Sequence, residues 1–162
     1  MFSPWLLSLA QVVLAETREK GLRIATAESC TGGLIAGLLT EIPGSSDVLD
    51  RGFVVYSDRA KSDLLGVPGD LITGHGAVSE AVARAMAEGA VANSNAHLAV
   101  AVTGIAGPGG GTELKPVGLV HIAAARGGRS ILHEAHRFGD IGRSEIRLQS
   151  VEAALTLLRH LL

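Results

Sequence analysis

This 162-residue chain lacks cysteine pairs, clustered positive charge and histidines at metal-ligand spacing. The single cysteine, Cys30, excludes an internal disulfide framework, and no second thiol accompanies it to form a zinc finger. The net charge is only −2, so the sequence has no electrostatic footprint for nucleic acid. No metal and no cofactor are expected. A lone thiol is typical of a reducing compartment, and a cytoplasmic location is expected.

The chain also lacks an apolar run of the ~20 residues that a membrane-spanning helix needs. Its first 15 residues are apolar like a signal peptide, but no basic residue precedes Arg18. Ser3-Pro4 is typical of an N-cap followed by proline in the first turn of a helix, and Trp5 and Leu9 begin a helical apolar spacing. The segment therefore predicts an amphipathic helix of a soluble protein, with no membrane partner.

What the chain does have is a globular composition, with 47% hydrophobic and 19% charged residues. Its length predicts one domain over residues 1–162. Apolar periodicity predicts helices at 4–19, 31–41, 59–65, 79–92 and 143–161, and strands at 22–27, 52–57, 97–103, 117–125 and 130–138. Gly127 and Gly128 predict a hairpin turn between the last two strands, and Ser79 predicts an N-cap. Together they predict an α/β fold, a three-layer α/β/α domain with a mixed parallel and antiparallel sheet covered by helices on both faces.

The segment TAESCTGG, residues 26–33, places reactive side chains where a strand turns into a helix. Ser29 has two interpretations, a helix N-cap or a nucleophile at a helix N-terminus whose N–H groups stabilise an anion. Cys30 is a rival nucleophile, although a lone free cysteine is more commonly a small buried hydrophobe. Glu28 is open to orientation of Lys61, to facing a positive charge on a bound ligand, or to the role of a carboxylate beside the helix start.

The segment RGFVVYSDRAKSDLLGV, residues 51–67, holds the only tyrosine, Tyr56, at the end of a strand that reads as buried. Lys61 follows five residues later at the start of a helical turn. Such a lysine is usually solvated, but a buried lysine can be neutral near pH 7 and act as a base to a serine hydroxyl.

Two further segments complete the set of candidates. Thr103 ends a strand within the glycine-rich segment VTGIAGPGGGTELKPVG. The segment lacks the Gly-Lys-Ser/Thr of a phosphate-binding P-loop. Its interpretations are a mobile surface loop or the rim of an active site. Arg143 and Arg147 lie one turn apart at the start of the last helix, where positive charge opposes the helix dipole. A bound anion such as phosphate would account for Arg143, whereas Arg147 is expected to be solvated.

In this order, TAESCTGG, GFVVYSDRAK, AVTGIAGPGGGTELKPVG and RFGDIGRSEIR resemble the C-terminal domain of the competence/damage-inducible protein CinA. The resemblance covers essentially the whole chain. Stand-alone members of that family are nicotinamide-mononucleotide amidohydrolases, and full-length members carry a larger N-terminal pyrophosphatase domain for which 162 residues have no room. One departure precedes Arg143, where Ile141-Gly142 follow Gly139-Asp140, while the family commonly has Gly-Asp directly before the arginine.

The resemblance implies hydrolysis of the carboxamide of nicotinamide mononucleotide to nicotinate mononucleotide and ammonia. By position it implies Ser29 as the nucleophile, with Lys61 and Tyr56 as its proton-transfer partners. The remaining residues implied to contact substrate are Thr31, Gly32, Gly33, Thr103, Gly104 and Arg143. Of these, the backbone N–H groups of the first three are expected to hold the oxyanion.

The resemblance and the apolar composition also imply a homodimer or a larger homo-oligomer. An alternative of another class is a non-catalytic nucleotide-binding or protein-docking module. The presence of Ser29, Tyr56 and Lys61 together argues against it, because a module that only binds has no need of all three.

Overall fold

The structure of the protein is a computed structural model that describes all 162 residues. The helices are α1 Pro4–Glu19, α2 Leu34–Thr40, α3 Asp58–Leu65, α4 Gly69–His75, α5 Glu80–Ala92 and α6 Arg143–Arg159, and a 3-10 turn covers Ser45–Asp47. The strands are β1 Ile24–Glu28, β2 Leu49–Val54, β3 Leu98–Gly104, β4 Leu119–Arg126 and β5 Leu132–Arg137. No helix has both the length and the apolar content needed to cross a membrane.

Serine side chains start three of the helices. The hydroxyls of Ser3, Ser57 and Ser79 accept hydrogen bonds from backbone N–H groups three residues on, at the starts of α1, α3 and α5. Such caps satisfy donors that have no partner within the helix and typically contribute about 1 kcal/mol each. The caps predicted at Ser3 and Ser79 are therefore confirmed.

The five strands form one mixed sheet in the order β2-β1-β3-β4-β5. Strand β1 runs parallel to β2 and β3, whereas β4 is antiparallel to both β3 and β5. Glu28, the last residue of β1, pairs in register with Val54 of β2 and Val102 of β3. The carboxyl ends of three parallel strands therefore meet at one edge of the sheet, where ligands bind in open α/β folds.

Helices cover both faces of this sheet, as predicted. Strand β3 divides its side chains between the two faces, because alternate residues of a strand point in opposite directions. Leu98, Val100 and Val102 enter a core of 25 buried residues shared with α1, α2 and α6. Ala99 and Ala101 enter a second core of 16 buried residues shared with α3, α4 and α5.

Close packing of α3 against α5 depends on a glycine. A Cβ atom at Gly89 of α5 would overlap the carbonyl group of Leu65, the last residue of α3. The missing side chain lets the two helices approach until their backbones touch. This contact holds α3, which carries Lys61, against α5.

The structure corrects several predicted boundaries. Helix α4 was not predicted, and α2 begins at Leu34 rather than at 31. Strand β2 is a half-exposed edge strand rather than the buried strand expected before Tyr56, because only β1 pairs with it. The hairpin turn between β4 and β5 is present, but only Gly128 of the predicted glycine pair has a positive φ, of 76°.

Candidate active site

Ser29 is the first residue after β1 and lies in the loop that leads into α2. Its backbone N–H donates to the carbonyl oxygen of Val102 at 3.0 Å, which ties the residue to the end of β3. The side chain is 8% exposed. Its hydroxyl caps no backbone N–H of α2, so the N-cap interpretation of Ser29 is wrong for this side chain.

Glu28 carries out the capping that Ser29 does not. Its carboxylate is fully buried and accepts hydrogen bonds from the N–H groups of Gly33, Ile35 and Ala36 at 2.9–3.1 Å. A negative charge at this position also compensates the positive end of the helix dipole. Of the interpretations left open for Glu28, the structure supports the carboxylate beside the helix start.

Lys61 reaches the serine from α3. Its side chain is 1% exposed, and Nζ lies 3.1 Å from Ser29 Oγ, 3.1 Å from the Val55 carbonyl oxygen and 3.4 Å from the Tyr56 carbonyl oxygen. No carboxylate forms a salt bridge with it. Burial lowers the pKa of Lys61, and the Asp58 carboxylate opposes that lowering more weakly.

The contacts of Nζ fit both the ammonium, which donates to all three neighbours, and the neutral amine. A neutral lysine has two N–H bonds and one lone pair, and the three neighbours of Nζ are two carbonyl oxygens and one hydroxyl. The carbonyls of Val55 and Tyr56 accept the two N–H bonds. The lone pair is then free to accept the proton of the Ser29 hydroxyl, as a general base requires.

The Tyr56 side chain lies further out than expected. It is 63% exposed, and its hydroxyl accepts a hydrogen bond at 3.2 Å from Nη2 of Arg143, at the start of α6. Nη1 of the same arginine donates to the Gly107 carbonyl oxygen at 2.7 Å. The phenol makes no hydrogen bond to Lys61 or Ser29, so the predicted relay through Lys61 and Tyr56 is not formed in this structure.

A cleft of about 220 Å³ joins these groups. Ser29, Lys61, Tyr56, Thr103, Gly104 and Arg143 all line it. Thr103 is buried, and its hydroxyl donates to the Ala77 carbonyl oxygen at 2.9 Å, which connects β3 to the segment before α5. Six of the nine predicted site residues thus meet in one cleft.

The three other predicted residues, Thr31, Gly32 and Gly33, do not line the cleft. The Gly32 N–H donates to the Ser29 carbonyl oxygen at 3.0 Å, and the Gly33 N–H donates to Glu28. Both groups are already occupied, so the prediction that they hold an oxyanion does not fit the structure. The Thr31 N–H makes no hydrogen bond within the protein, and neither does the N–H of Cys30, which lines the cleft.

Cys30 is buried beside the serine, and its environment favours the thiol over the thiolate. Burial raises its pKa to about 11, and the nearby Glu28 carboxylate also raises it. The guanidinium groups of Arg147 and Arg143 lower it by less. Since the thiolate is the nucleophile, this cysteine fits the interpretation as a small buried hydrophobe.

Arg147 is the functional candidate that the sequence reasoning missed. It was expected to be solvated, but it is half-buried, and its Nε and Nη2 atoms donate to the carbonyl oxygens of Cys30 and Thr31 at 3.0 and 3.2 Å. Its spacing of four residues from Arg143 was the available signal, because both then lie on one face of α6.

A larger cleft of about 450 Å³ lies elsewhere, where the C-terminal ends of α1 and α6 meet. Its lining includes the ion pair of Glu16 and Arg159 but no cysteine or serine. No group of three or more histidine, cysteine, aspartate or glutamate side chains is arranged to hold a metal ion. The buried serine–lysine pair therefore singles out the smaller cleft as the candidate site.

The fold and the cleft define a three-layer α/β domain with a buried serine–lysine pair at the carboxyl ends of parallel strands. The chain belongs to the family of the CinA C-terminal domain, whose model matches residues 6–162. A CinA-like protein of Synechococcus is 54% identical over 153 residues, which are 94% of this chain and 36% of that protein. The chain spans about a third of the length of the curated relatives it matches.

Solved structures agree with this assignment. The competence/damage inducible protein CihA of Agrobacterium tumefaciens superposes with a TM-score of 0.98 at 54% identity, covering 99% of this chain and 98% of that one. A CinA superfamily protein of Escherichia coli superposes with a TM-score of 0.92 at 31% identity, covering 100% and 94%. The predicted family and fold are thus confirmed.

Proposed function

We propose that this protein hydrolyses the carboxamide of nicotinamide mononucleotide to nicotinate mononucleotide and ammonia. The observation that carries the proposal is the 3.1 Å contact between Ser29 Oγ and Nζ of a buried Lys61 whose pKa is lowered by burial. Family membership is compatible with an amidohydrolase, and the resemblance of the motifs supplies the substrate.

The chemistry follows from the pair. Lys61, as the neutral amine, removes the proton of Ser29 while Oγ attacks the carboxamide carbon, and a tetrahedral oxyanion forms. The C–N bond breaks as Lys61 returns the proton to the leaving nitrogen, which departs as ammonia. Water then attacks the acyl ester with Lys61 again as the base, and nicotinate mononucleotide is released with Ser29 restored.

The size and charge of the cleft suit this substrate. At about 220 Å³ it is smaller than the ~300–1,000 Å³ typical of sites that enclose a whole drug-sized ligand. It therefore suits the pyridine carboxamide, with the ribose phosphate extending to the rim. Arg143 and Tyr56 lie at that rim, where an arginine can hold a phosphate.

The experiment is an ammonia-release assay on nicotinamide mononucleotide, with the pyridine product identified by chromatography. Ser29→Ala and Lys61→Ala should each lower kcat on the order of 10⁴-fold or more. Ser46→Ala and Lys20→Ala are matched controls at exposed positions and should keep the wild-type rate. A wild-type protein that releases no ammonia would refute the proposed activity and leave the non-catalytic module as the alternative.

A double variant tests whether the pair acts as a unit. Ser29→Ala combined with Lys61→Ala should be little worse than either single variant, because removing the nucleophile makes its base useless. If the two losses multiply, the residues act independently and the serine–lysine mechanism fails even where the activity itself is present.

A further inference from the structure

Nearly every backbone N–H group between Ser29 and Ala36 already has an acceptor. Those of Ser29, Gly32 and Leu34 donate to backbone carbonyls, and those of Gly33, Ile35 and Ala36 donate to Glu28. Only the N–H groups of Cys30 and Thr31 make no hydrogen bond within the protein. Donors without acceptors directly after a nucleophile have the character of an oxyanion hole.

The two peptide groups that follow Cys30 and Thr31 are held from behind by one side chain. Arg147 donates from Nε to the Cys30 carbonyl oxygen at 3.0 Å and from Nη2 to the Thr31 carbonyl oxygen at 3.2 Å. A Cβ atom on Gly32 would lie 3.2 Å from Nη2, which is tighter than ordinary contact, and Gly32 has a φ of 59°. The glycine thus provides both the turn and the space for the guanidinium group.

Because Arg147 holds the Cys30 carbonyl, the planar peptide also fixes the direction of the Thr31 N–H. In a planar trans peptide the C=O and N–H bonds point to opposite sides, so the N–H of Thr31 points away from the arginine that holds the Cys30 carbonyl. A hydrogen bond from a positive charge also polarises the peptide and strengthens its N–H as a donor, by ~10–30% in condensed-phase estimates.

We propose that Arg147 is a positioning residue that fixes the segment Cys30–Thr31, whose two free N–H groups supply the oxyanion donor for Ser29 where Cys30 lines the cleft. It contacts neither substrate nor nucleophile and acts through the peptide between Cys30 and Thr31. The inference rests on the proposed role of Ser29 as a nucleophile but not on the identity of the amide. Loss of a side chain that orients a metal ligand typically costs ~10–100-fold in activity, and we expect a loss of the same order for this orienting side chain.

A fluorophosphonate probe tests this independently of the natural substrate. Ser29 Oγ attacks phosphorus, fluoride leaves, Lys61 takes the serine proton, and the phosphoryl oxygen occupies the place of the oxyanion. The rate of labelling is followed by intact mass, with Ser29→Ala as the blank. Arg147→Met should slow labelling, and kcat on nicotinamide mononucleotide, by ~10–100-fold with KM unchanged.

Arg159→Met is the matched control on the same helix. Arg159 also makes two hydrogen bonds, to the carboxylate of Glu16, but lies at the other end of α6. Millimolar guanidinium should restore labelling in Arg147→Met and leave Arg159→Met unaffected, because the free cation can occupy the space between Gly32 and α6. If Arg147→Met does not fold, Arg147→Lys is read by the same criteria, since an ammonium cannot hold both carbonyls in the guanidinium geometry.

The possible results distinguish a failure of the positioning role from a failure of the proposed substrate. Slowing no greater than that of Arg159→Met, slowing that guanidinium does not relieve, or a loss expressed only in KM would overturn the positioning role. A protein that labels at Ser29 in an Arg147-dependent way but releases no ammonia would refute the proposed substrate and uphold the inference. Ammonia release that is independent of Arg147 would refute the inference alone.

Discussion

The stability of the protein should depend on pH through Lys61 in a direction that the structure fixes. Burial lowers the pKa of this lysine in the folded state, whereas in the unfolded chain it is close to the ordinary value of about 10.4. Between the two pKa values the folded state has lost the proton and the unfolded state still binds it. The free energy of unfolding therefore rises with pH in that window, and below the folded-state pKa the full cost of burying the charge is present.

The perturbation is Lys61→Met, which keeps the length of the side chain and removes the titrating group. The difference in free energy of unfolding, wild type minus variant, should rise with pH at a slope of no more than about 1.4 kcal/mol per pH unit. The carbonyls of Val55 and Tyr56 lose the Nζ donor in the variant, at ~1–3 kcal/mol for each group left unsatisfied. That loss is independent of pH, so it shifts the difference curve without tilting it.

The assay is urea denaturation followed by circular dichroism from pH 6 to pH 10. The range stops there because Cys30, whose pKa is about 11, lies beside the site and titrates above it. Lys20→Met, at an exposed lysine after α1, is the control and should run parallel to wild type. The claim that Lys61 is desolvated and poised as a base would be refuted by either of two results. The curves of free energy of unfolding against pH for wild type and Lys61→Met could run parallel, or the difference, wild type minus variant, could fall with pH.

Three further predictions concern the groups around this pair. Glu28→Gln should lower the free energy of unfolding by ~2–4 kcal/mol in urea denaturation, because the amide NH₂ must then face at least one of the three backbone N–H donors. Glu41→Gln, exposed at the other end of α2, is the control and should not lower it. Cys30→Ala should keep most of the amidase activity, and a variant as inactive as Ser29→Ala would reassign the nucleophile. Arg143→Met should raise KM for nicotinamide mononucleotide ~10–100-fold and leave KM for the phosphate-free riboside unchanged. An equal rise for both substrates would refute the assignment of Arg143 to the phosphate.

Much of this fold could be predicted because its signals are local. Helices α1, α3, α5 and α6 and the strands β3, β4 and β5 lie within a few residues of the predicted ranges. Helix α4 was missed because its seven residues include Gly69 and Gly74, and each glycine costs about 1 kcal/mol relative to alanine in a helix. Its helical conformation depends on packing against α5, which no pattern within the segment reveals.

The residues of the candidate site also differ in whether their signal is local in the sequence. Ser29 and Lys61 were found because each is a chemically unusual residue at a strand-to-helix junction. Arg147 was not, because its acceptors are backbone carbonyls more than a hundred residues away, and carbonyls carry no residue identity. Of the three N–H groups predicted to hold the oxyanion, only that of Thr31 stays free, because the Ser29 carbonyl accepts from Gly32 and the Glu28 carboxylate accepts from Gly33.

The two parts of the site come from very different distances along the chain. Ser29 and Lys61 are 32 residues apart and belong to consecutive strand–helix units, whereas Arg147 is 117 residues from the Cys30 carbonyl that it holds. During synthesis the serine and the lysine emerge early, but the arginine that holds the Cys30 carbonyl arrives with the last helix. On the proposed mechanism the serine reaches its full reactivity only when α6 has docked, so the order of assembly limits the activity of an incompletely folded chain.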